Sequence, residues 1–508
     1  MTARVLTALA FVAHVATNWR YGYFRDELYF IACGRHLAWS YVDQPPLVAF
    51  AAWLATPFAY ALPALRFLPA CAAALTVWLA CAIVRELGGG RFAQVLAGLA
   101  TLLLPAYLLL GNTLTTTSFE PLSWTLTVYL LLRLARGADA RLWLGAGAAT
   151  AFGLYGKYSM ILLLLALAAG LLCVRERRIF ATWWFPAGGL LGLALVAPTA
   201  AWQFAHGWPQ LTVLHGDLLH RHAFQSGLQL ESQNVASNAI AFAGEQLLYT
   251  NPVAVPIWIA GLIAPFVWKP LRTARFVSIA YLVLLAIAIS TEAKGYYIIG
   301  IYAPLLASGA IALEALLRDR RAVRWAIATG FVALTLPFVP ISLPVLPIDT
   351  FVGYSRLLGL TGRGGAAVHL MQPVYAEEFG WDELTRHVAG VYHALPSAVR
   401  SRTGIFADTY ADAGAIALFG PRYGLPPVVS GQNTFWLWGT GGYDGSSMIA
   451  VGATQQATLR RLFRHVKLVE TYGNPYKWVV EGPTPIYLCT DPIAPLPQLW
   501  PQFKWYGA

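Results

Sequence analysis

YFRDELYFIACGRHLAWSYVDQPPL, residues 23–47, is the stretch from which the rest of the chain is read. It follows the first hydrophobic segment immediately. It carries an adjacent carboxylate pair, Asp26 and Glu27, with Arg25 beside it, and a further acid, Asp43, just before the rigid pair Pro45-Pro46. Leu28, Ile31, Ala32, Leu37 and Ala38, with the stem of Arg35, recur near helical spacing, which predicts a helix lying along a membrane surface. Acids at the end of a membrane span, in a loop too long for a plain connector, point to chemistry at the bilayer surface.

The composition of the frame around this loop excludes a soluble enzyme. Of 508 residues, 57% are hydrophobic and 12% charged, with a mean hydropathy of +0.56. Soluble domains carry about twice that charged fraction. Apolar runs of about 17–25 residues recur, the length that crosses a bilayer. The net charge of +11 does not mark a nucleic-acid groove, because the basic residues gather in short loops at every second span end. That is the positive-inside pattern. The five cysteines show no CxxC spacing. Cys71, Cys81 and Cys173 lie in apolar runs, while Cys33 and Cys489 share the outer compartment, where pairing stays open. The first span reads as an uncleaved anchor.

Taken in order, the runs give about eleven transmembrane helices. Arg85 and Arg91, then Arg133, Arg136 and Arg141, then Arg175, Arg177 and Arg178, then Lys269, Arg272 and Arg275, and finally Arg318, Arg320, Arg321 and Arg324 fall on one side. Asp26, Glu27, Asp43, Glu120 and Glu292 fall on the other, which the charge rule places outside. From about Pro347 charges return, turn signals multiply and apolar stretches shorten. FGWDELTRHVAGVYHAL (379–395) predicts an amphipathic helix. IFADTY, PVVSG, MIAVGA, LVETY, KWVVEG and PIYLC predict short strands. The expected fold is a polytopic α-helical membrane protein, residues 1–346, with a soluble α/β or α+β domain over 347–508, on the same side as the acids.

Each candidate has a chemical and a plain reading. Asp26-Glu27 is either a general base for a hydroxyl or a pair of acids at a helix start. Arg25 holds the acid ionised or binds phosphate. Glu120, in TTTSFEP, is a ligand group or the dipole partner of a helix that opens with Pro121. Lys157, between Tyr155 and Tyr158, breaks the charge bias of its face and suits a lipid phosphate, or snorkels. In TEAKGYY, Lys294 joins Lys157 around a phosphate or pairs with Glu292. Tyr296 and Tyr297 there stack on a sugar or sit in the interfacial aromatic belt. His206, His215, His220 and His222 lack the acids or cysteines of a metal site. FWLWG (435–439) is a sugar platform or core.

At the DE pair, VDQPPL, KYS and KGYY the chain resembles the PMT-type branch of the GT-C glycosyltransferases. That branch holds protein O-mannosyltransferases and lipid A aminoarabinose transferases. The likeness covers residues 1–345, and WDEL, AGAIALFG, GLP and WLWG are similar to the tails of bacterial members. It implies a bacterial inner-membrane enzyme with its site on the periplasmic face. Such an enzyme moves a monosaccharide from a polyprenyl-phosphate donor to a hydroxyl acceptor of the envelope, by inversion, with no metal or cofactor. It implies the base role for Asp26, with Glu27 as its motif partner. Basic residues of outward loops bind the donor phosphate in such enzymes, which implies that role for Arg25, Lys157 and Lys294; Asp43, Glu120, Tyr158, Glu292, Tyr296 and Tyr297 are the further substrate-binding candidates. Other implied partners are membrane lipid and no nucleic acid. The chain lacks a MIR-type insertion, which weighs against a protein acceptor. The rival classes are a transporter of glycolipid or ions, which calls for midplane charges in two related halves, and a non-catalytic envelope scaffold.

Overall fold

The computed structural model describes residues 1–219, 235–358, 373–452, 456–474, 476 and 482–507. Contacts divide the chain into two units. Unit 1 comprises Met1–Arg20, Leu65–Ala201 and Ser226–Val345; unit 2 comprises Tyr21–Ala64, Trp202–Gln225 and Leu346–Ala508. The DE loop is therefore part of the same unit as the tail.

Unit 1 is helical. Among the described residues, five helices are long and apolar enough to cross a bilayer: Phe67–Glu86, Trp184–Ala205, Lys269–Ser290, Gly295–Leu316 and Arg321–Ser342. A bent pair, Asn238–Thr250 with Pro252–Val267, makes a sixth if taken as one span. Thr2–Val15, Arg91–Leu102 and Met160–Leu172 are shorter apolar helices. The apolar runs read as spans are thus broken into pieces, and proline explains one break. Helix Arg91–Leu102 stops before Pro105, with Leu104 extended, because a prolyl ring excludes the helical conformation from the residue before it.

Where the core is densest the helices touch through small residues. A Cβ on Gly261 would stand 1.8 Å from the Leu305 carbonyl oxygen, and one on Gly309 1.7 Å from that of Ile257. Helices Val255–Val267 and Tyr302–Leu316 therefore approach as closely as membrane helices with small interfacial residues do. Helix Arg91–Leu102 begins on a borrowed cap. The Glu314 carboxylate accepts from the backbone N–H groups of Gly90, Phe92 and Ala93, at 2.6–3.3 Å.

Unit 2 holds a five-stranded sheet: β1 Thr403–Ala407, β2 Val428–Val429, β3 Ser447–Val451, β4 Phe463–Tyr472 and β5 Thr484–Pro492, in the order β2-β1-β3-β5-β4. β1 runs parallel to β2 and β3; β5 is antiparallel to β3 and β4. Every residue of β1 and β3 is buried, as in strands covered on both faces, while β4 forms an exposed edge. The expected strands overlap these five, and the helix read over 379–395 runs Trp381–His393. KWVVEG lies, apart from Gly482, outside the described residues. IFADTY is strand only as far as Ala407: Tyr410 opens helix Tyr410–Phe419, with the Thr409 side chain accepting from Asp412 N–H.

The DE loop departs from expectation. Helix Arg25–Arg35 is not a surface helix, since every residue from Glu27 to Gly34 is buried within unit 2. Tyr29, Phe30 and Cys33 complete an apolar surface around the faces that Leu28, Ile31 and Ala32 begin, and a helix apolar all round is a buried one. Gly414 admits the close crossing: a Cβ there would lie 2.7 Å from the Leu28 carbonyl carbon. Cys33 and Cys489 are both buried free thiols.

Candidate active site

The first turn of helix Arg25–Arg35 sorts the two adjacent acids by direction. Glu27 is fully buried, and its Oε2 accepts from the Phe24 N–H at 2.9 Å, so it closes the helix start as a reciprocal cap. Asp26, one residue earlier, turns outward and keeps 30% of its side chain exposed. Its Oδ1 accepts from the Tyr410 hydroxyl at 2.8 Å and lies 3.5 Å from Arg25 Nε.

Arg25 binds the tail from the other side. Its Nε and Nη2 donate to the same Tyr410 hydroxyl at 3.1 and 2.9 Å, and its Nη1 meets Glu377 Oε1 at 2.9 Å. The guanidinium carbon stands 5.5 Å from the Tyr410 ring centroid. Burial and the Asp26 carboxylate push the Tyr410 phenol well above its ordinary range, against the pull of Arg25, so its proton stays on oxygen and is given to Asp26. Asp26 is thus oriented by one donor and left with an oxygen free of that bond.

Asp43 belongs to a second, more enclosed group. Tyr29 packs at a tilt against Tyr410, with ring centroids 5.0 Å apart, and gives its hydroxyl proton to Asp43 Oδ1 at 2.7 Å. The same hydroxyl lies 2.8 Å from Thr434 Oγ1, and Asn433 Nδ2 donates to Asp43 Oδ2 at 3.0 Å. Burial, helped by the charge of Asp26, pushes the Asp43 carboxyl up to about 7; the hydrogen bonds from Tyr29 and Asn433 pull the other way. FWLWG is core at its start: Phe435 is buried and stacks on Tyr29, while Trp438 stacks on His36 at 4.4 Å.

Unit 1 has its own charged cluster. Lys157 caps the C-terminal end of helix Leu142–Gly156, and Glu120 opens helix Glu120–Ala135. Lys157 Nζ lies 3.4 Å from Glu120 Oε2 and donates to Thr117 Oγ1 at 2.9 Å. The rings of Tyr296 and Tyr297, packed edge to face, stand 4.7 and 4.6 Å from the same ammonium and make a cation–π contact with it from one side. Lys294 is exposed, and its charge acts on Lys157. Glu292 is exposed and accepts from Asn238 Nδ2 at 3.0 Å, and no ion pair joins it to Lys294. Tyr158 is partly buried next to Lys157.

The structure therefore gathers Arg25, Asp26 and Asp43 around two tyrosines in unit 2, and Glu120, Lys157, Tyr296 and Tyr297 in unit 1. Tyr410, Glu377, Tyr29, Thr434 and Asn433 are the site residues that sequence reasoning missed. His206 is engaged by the Trp202 carbonyl at 2.8 Å and His215 is exposed, while His220 and His222 lie outside the described residues. Among the described residues no three His, Cys, Asp or Glu side chains are grouped to hold a metal.

Residues 43–202 match the family model described as dolichyl-phosphate-mannose-protein mannosyltransferase. The fold is that of the ArnT-like GT-C proteins, as the resemblance read from the sequence implies. The particular relatives are two crystal structures of ArnT from Cupriavidus metallidurans. The apo form is 13% identical with a TM-score of 0.57, and the form bound to undecaprenyl phosphate is 14% identical with a TM-score of 0.60. Each alignment covers 96% of this chain and 97% of that one. Comparison with curated protein sequences gives no match. The family match begins at Asp43, so the DE pair precedes it.

Proposed function

We propose that the protein is an inverting glycosyltransferase that moves a monosaccharide from a polyprenyl-phosphate donor to a hydroxyl of an envelope acceptor. The family match and the shared fold support the enzyme class, and the undecaprenyl phosphate bound to the ArnT relative supports the lipid donor. The observation that carries the reading is Asp26: a carboxylate oriented by Tyr410, flanked by Arg25 and still partly open. In this reading Asp26 takes the acceptor's hydroxyl proton while the acceptor oxygen attacks the anomeric carbon. The bond from that carbon to the phosphate oxygen breaks, and the polyprenyl phosphate leaves already ionised. No general acid is needed there. Cations stabilise the charge on the leaving oxygen.

Glu27 supports Asp26 by fixing the helix start. Lys294, Lys157 and Arg25 are assigned to the donor phosphate. Tyr158, Tyr296 and Tyr297 are assigned to the sugar, and Asp43, Glu120 and Glu292 to holding these groups in place. Orientation by the charge rule puts the acids and the domain 347–508 on the outer face of a bacterial inner membrane, with about eleven spans over 1–346.

The test is sugar release or transfer by purified protein with a panel of polyprenyl-phosphate monosaccharides, wild type beside Asp26→Asn. Turnover falls by about 10²–10⁴ in the variant, the usual worth of general-base catalysis, while donor binding and melting temperature hold. Equal turnover from the two proteins would remove Asp26 from the chemistry.

A further inference from the structure

Unit 2 contains a cavity of about 520 Å³ whose described lining residues include neither Asp26 nor Asp43. It lies where Tyr21–Tyr23 meets Glu378–Glu383, Phe419, Tyr472, Asn474 and Tyr476. Its walls are unusually rich in rings: Tyr21, Tyr23, Phe379, Trp381, Phe419, Tyr472 and Tyr476 all contribute. The polar edges of two are spent on backbone. Trp381 Nε1 donates to the Glu377 carbonyl at 2.8 Å, and the Tyr472 hydroxyl to that of Gly380 at 3.1 Å. Asn474 is fixed likewise, giving to the Phe379 carbonyl at 2.8 Å and accepting from Tyr476 N–H at 2.9 Å. These bonds set the orientation of rings that line the cavity, leaving their faces to do the recognising.

The charged groups among the lining residues are all acids: Glu378, Asp382 and Glu383, with no lysine or arginine. Asp382 Oδ1 is occupied by the Tyr423 hydroxyl at 3.0 Å and approached by Arg422 at 3.5 Å. Glu383 is exposed, and no contact with another described residue occupies its carboxylate. Such a lining disfavours a phosphate or other anion; Arg422, beside it, is paired with Asp382 and lies over the Phe419 ring at 5.0 Å. A hydroxyl-rich ring fits it, since its C–H face lies on an aromatic plane and adjacent hydroxyls donate to a carboxylate or the Asn474 amide. The volume lies within the range of about 300–1,000 Å³ usual for small-molecule sites, room for a short oligosaccharide.

We propose that this cavity is a binding site for neutral saccharide, separate from the donor phosphate site, and that it holds the glycan part of the acceptor. The saccharide site stands on the cavity alone; its assignment to the acceptor rests on the glycosyltransferase reading. The test is calorimetric titration of the full chain in lipid nanodiscs free of glycoside detergents, following intrinsic tryptophan fluorescence, with Trp381→Phe as its control, in parallel. The probes are maltose, the N-acetylglucosamine disaccharide, glucosamine and glucose 6-phosphate. A neutral disaccharide binds saturably, and glucose 6-phosphate binds at least about tenfold more weakly. Glu383→Gln, at an exposed position, weakens the neutral sugar about fivefold or more, the scale of one hydrogen bond to a charged group. Tyr472→Ala weakens it further, and Asp26→Asn leaves it unchanged. Absence of saturable neutral-sugar binding, binding confined to glucosamine, or affinity untouched by both cavity variants would each overturn the proposal. Sugar binding by a protein whose Asp26→Asn variant still turns over would remove only the active-site reading. Loss of turnover in Asp26→Asn without any sugar binding would remove only the cavity.

Discussion

Asp26 in unit 2 and Glu120 in unit 1 look alike in the sequence: each is an acid at the start of a helix, in a loop read as facing outward. In the structure they are opposites. Glu120 keeps 1% of its side chain exposed, faces Lys157 and is closed in with it by Thr117, Tyr296 and Tyr297. Asp26 has a guanidinium neighbour too, yet Arg25 spends its best contacts on Tyr410 and Glu377 and leaves the carboxylate part-open. A charge at a membrane boundary is thus either a closed pair that holds helices together or an open group able to act. What separates the two is how far the protein shuts water away from the carboxylate: Glu120 is sealed beside its cation, while Asp26 keeps 30% of its side chain open.

The largest effect follows from breaking the open acid, the Asp26→Asn loss of turnover described above. Next comes the closed pair. Lys157→Met leaves Glu120 buried without its cation, which costs about 3–5 kcal/mol. The double variant Lys157→Met/Glu120→Gln recovers most of that. Thermal melting in nanodiscs followed by tryptophan fluorescence reads both. A single variant as stable as the wild type would mean that the pair is not structural, and the contrast with Asp26 would collapse. Lys157 keeps 16% of its side chain exposed, so the same proteins also report whether it shares its charge with a donor phosphate through the donor KM.

Asp43 sharpens the comparison from within unit 2, because it is an acid more enclosed than Asp26. Its carboxyl titrates near 7 in the folded chain and near the ordinary carboxylate value when unfolded. The folded state therefore binds more protons between about pH 4 and pH 7, and stability falls as pH rises through that window, then levels off. Three units correspond to at most about 4 kcal/mol. Asp43 keeps some solvent contact, so a loss of about 2 kcal/mol is expected. Asp43→Asn, which still accepts from Tyr29, flattens the profile. Melting temperatures from pH 4 to 8 check it, and matching slopes for the two proteins would mean that Asp43 does not titrate there.

The parts of this that were legible in the sequence are local ones. The apolar runs, the 3.6-residue period over 381–393 and the short strands are written within windows of 10–20 residues; the helix and strands of the tail follow them, while the apolar runs fold as shorter helical pieces. Most partners in the two groups are not local: Glu377 on Arg25, Tyr410 on Asp26, Asn433 on Asp43 and Thr434 on Tyr29 stand 352 to 405 positions away along the chain. One signal was present and passed over. Thr409 followed by Asp412 is a helix-start pattern, which would have made Tyr410 the first residue of a helix rather than the end of a strand. The surface-helix reading of 25–35 failed for a similar reason, because it counted one apolar stripe and left out Tyr29, Phe30 and Cys33 on the other faces.

Tyr410→Phe is the smallest change and tests the feature that distinguishes the open acid. The phenyl ring keeps the tilted contact with Tyr29 at 5.0 Å and the contact with the Arg25 guanidinium at 5.5 Å, so unit 2 retains its packing. Only the hydroxyl is lost, and with it the donor to Asp26 and the acceptor for two Arg25 nitrogens. Arg25 Nε, already 3.5 Å from Asp26 Oδ1, then has no better acceptor than the carboxylate itself and closes on it. The open acid becomes a closed pair like that of Glu120 and Lys157. A bond of this kind is worth about 1–2 kcal/mol, so kcat falls about tenfold while donor KM and melting temperature change little. A rise in KM at constant kcat would place Tyr410 in donor binding instead. An unchanged kcat and KM would show that the orientation of Asp26 does not depend on it, and that openness alone, without a positioned donor, separates the two acids.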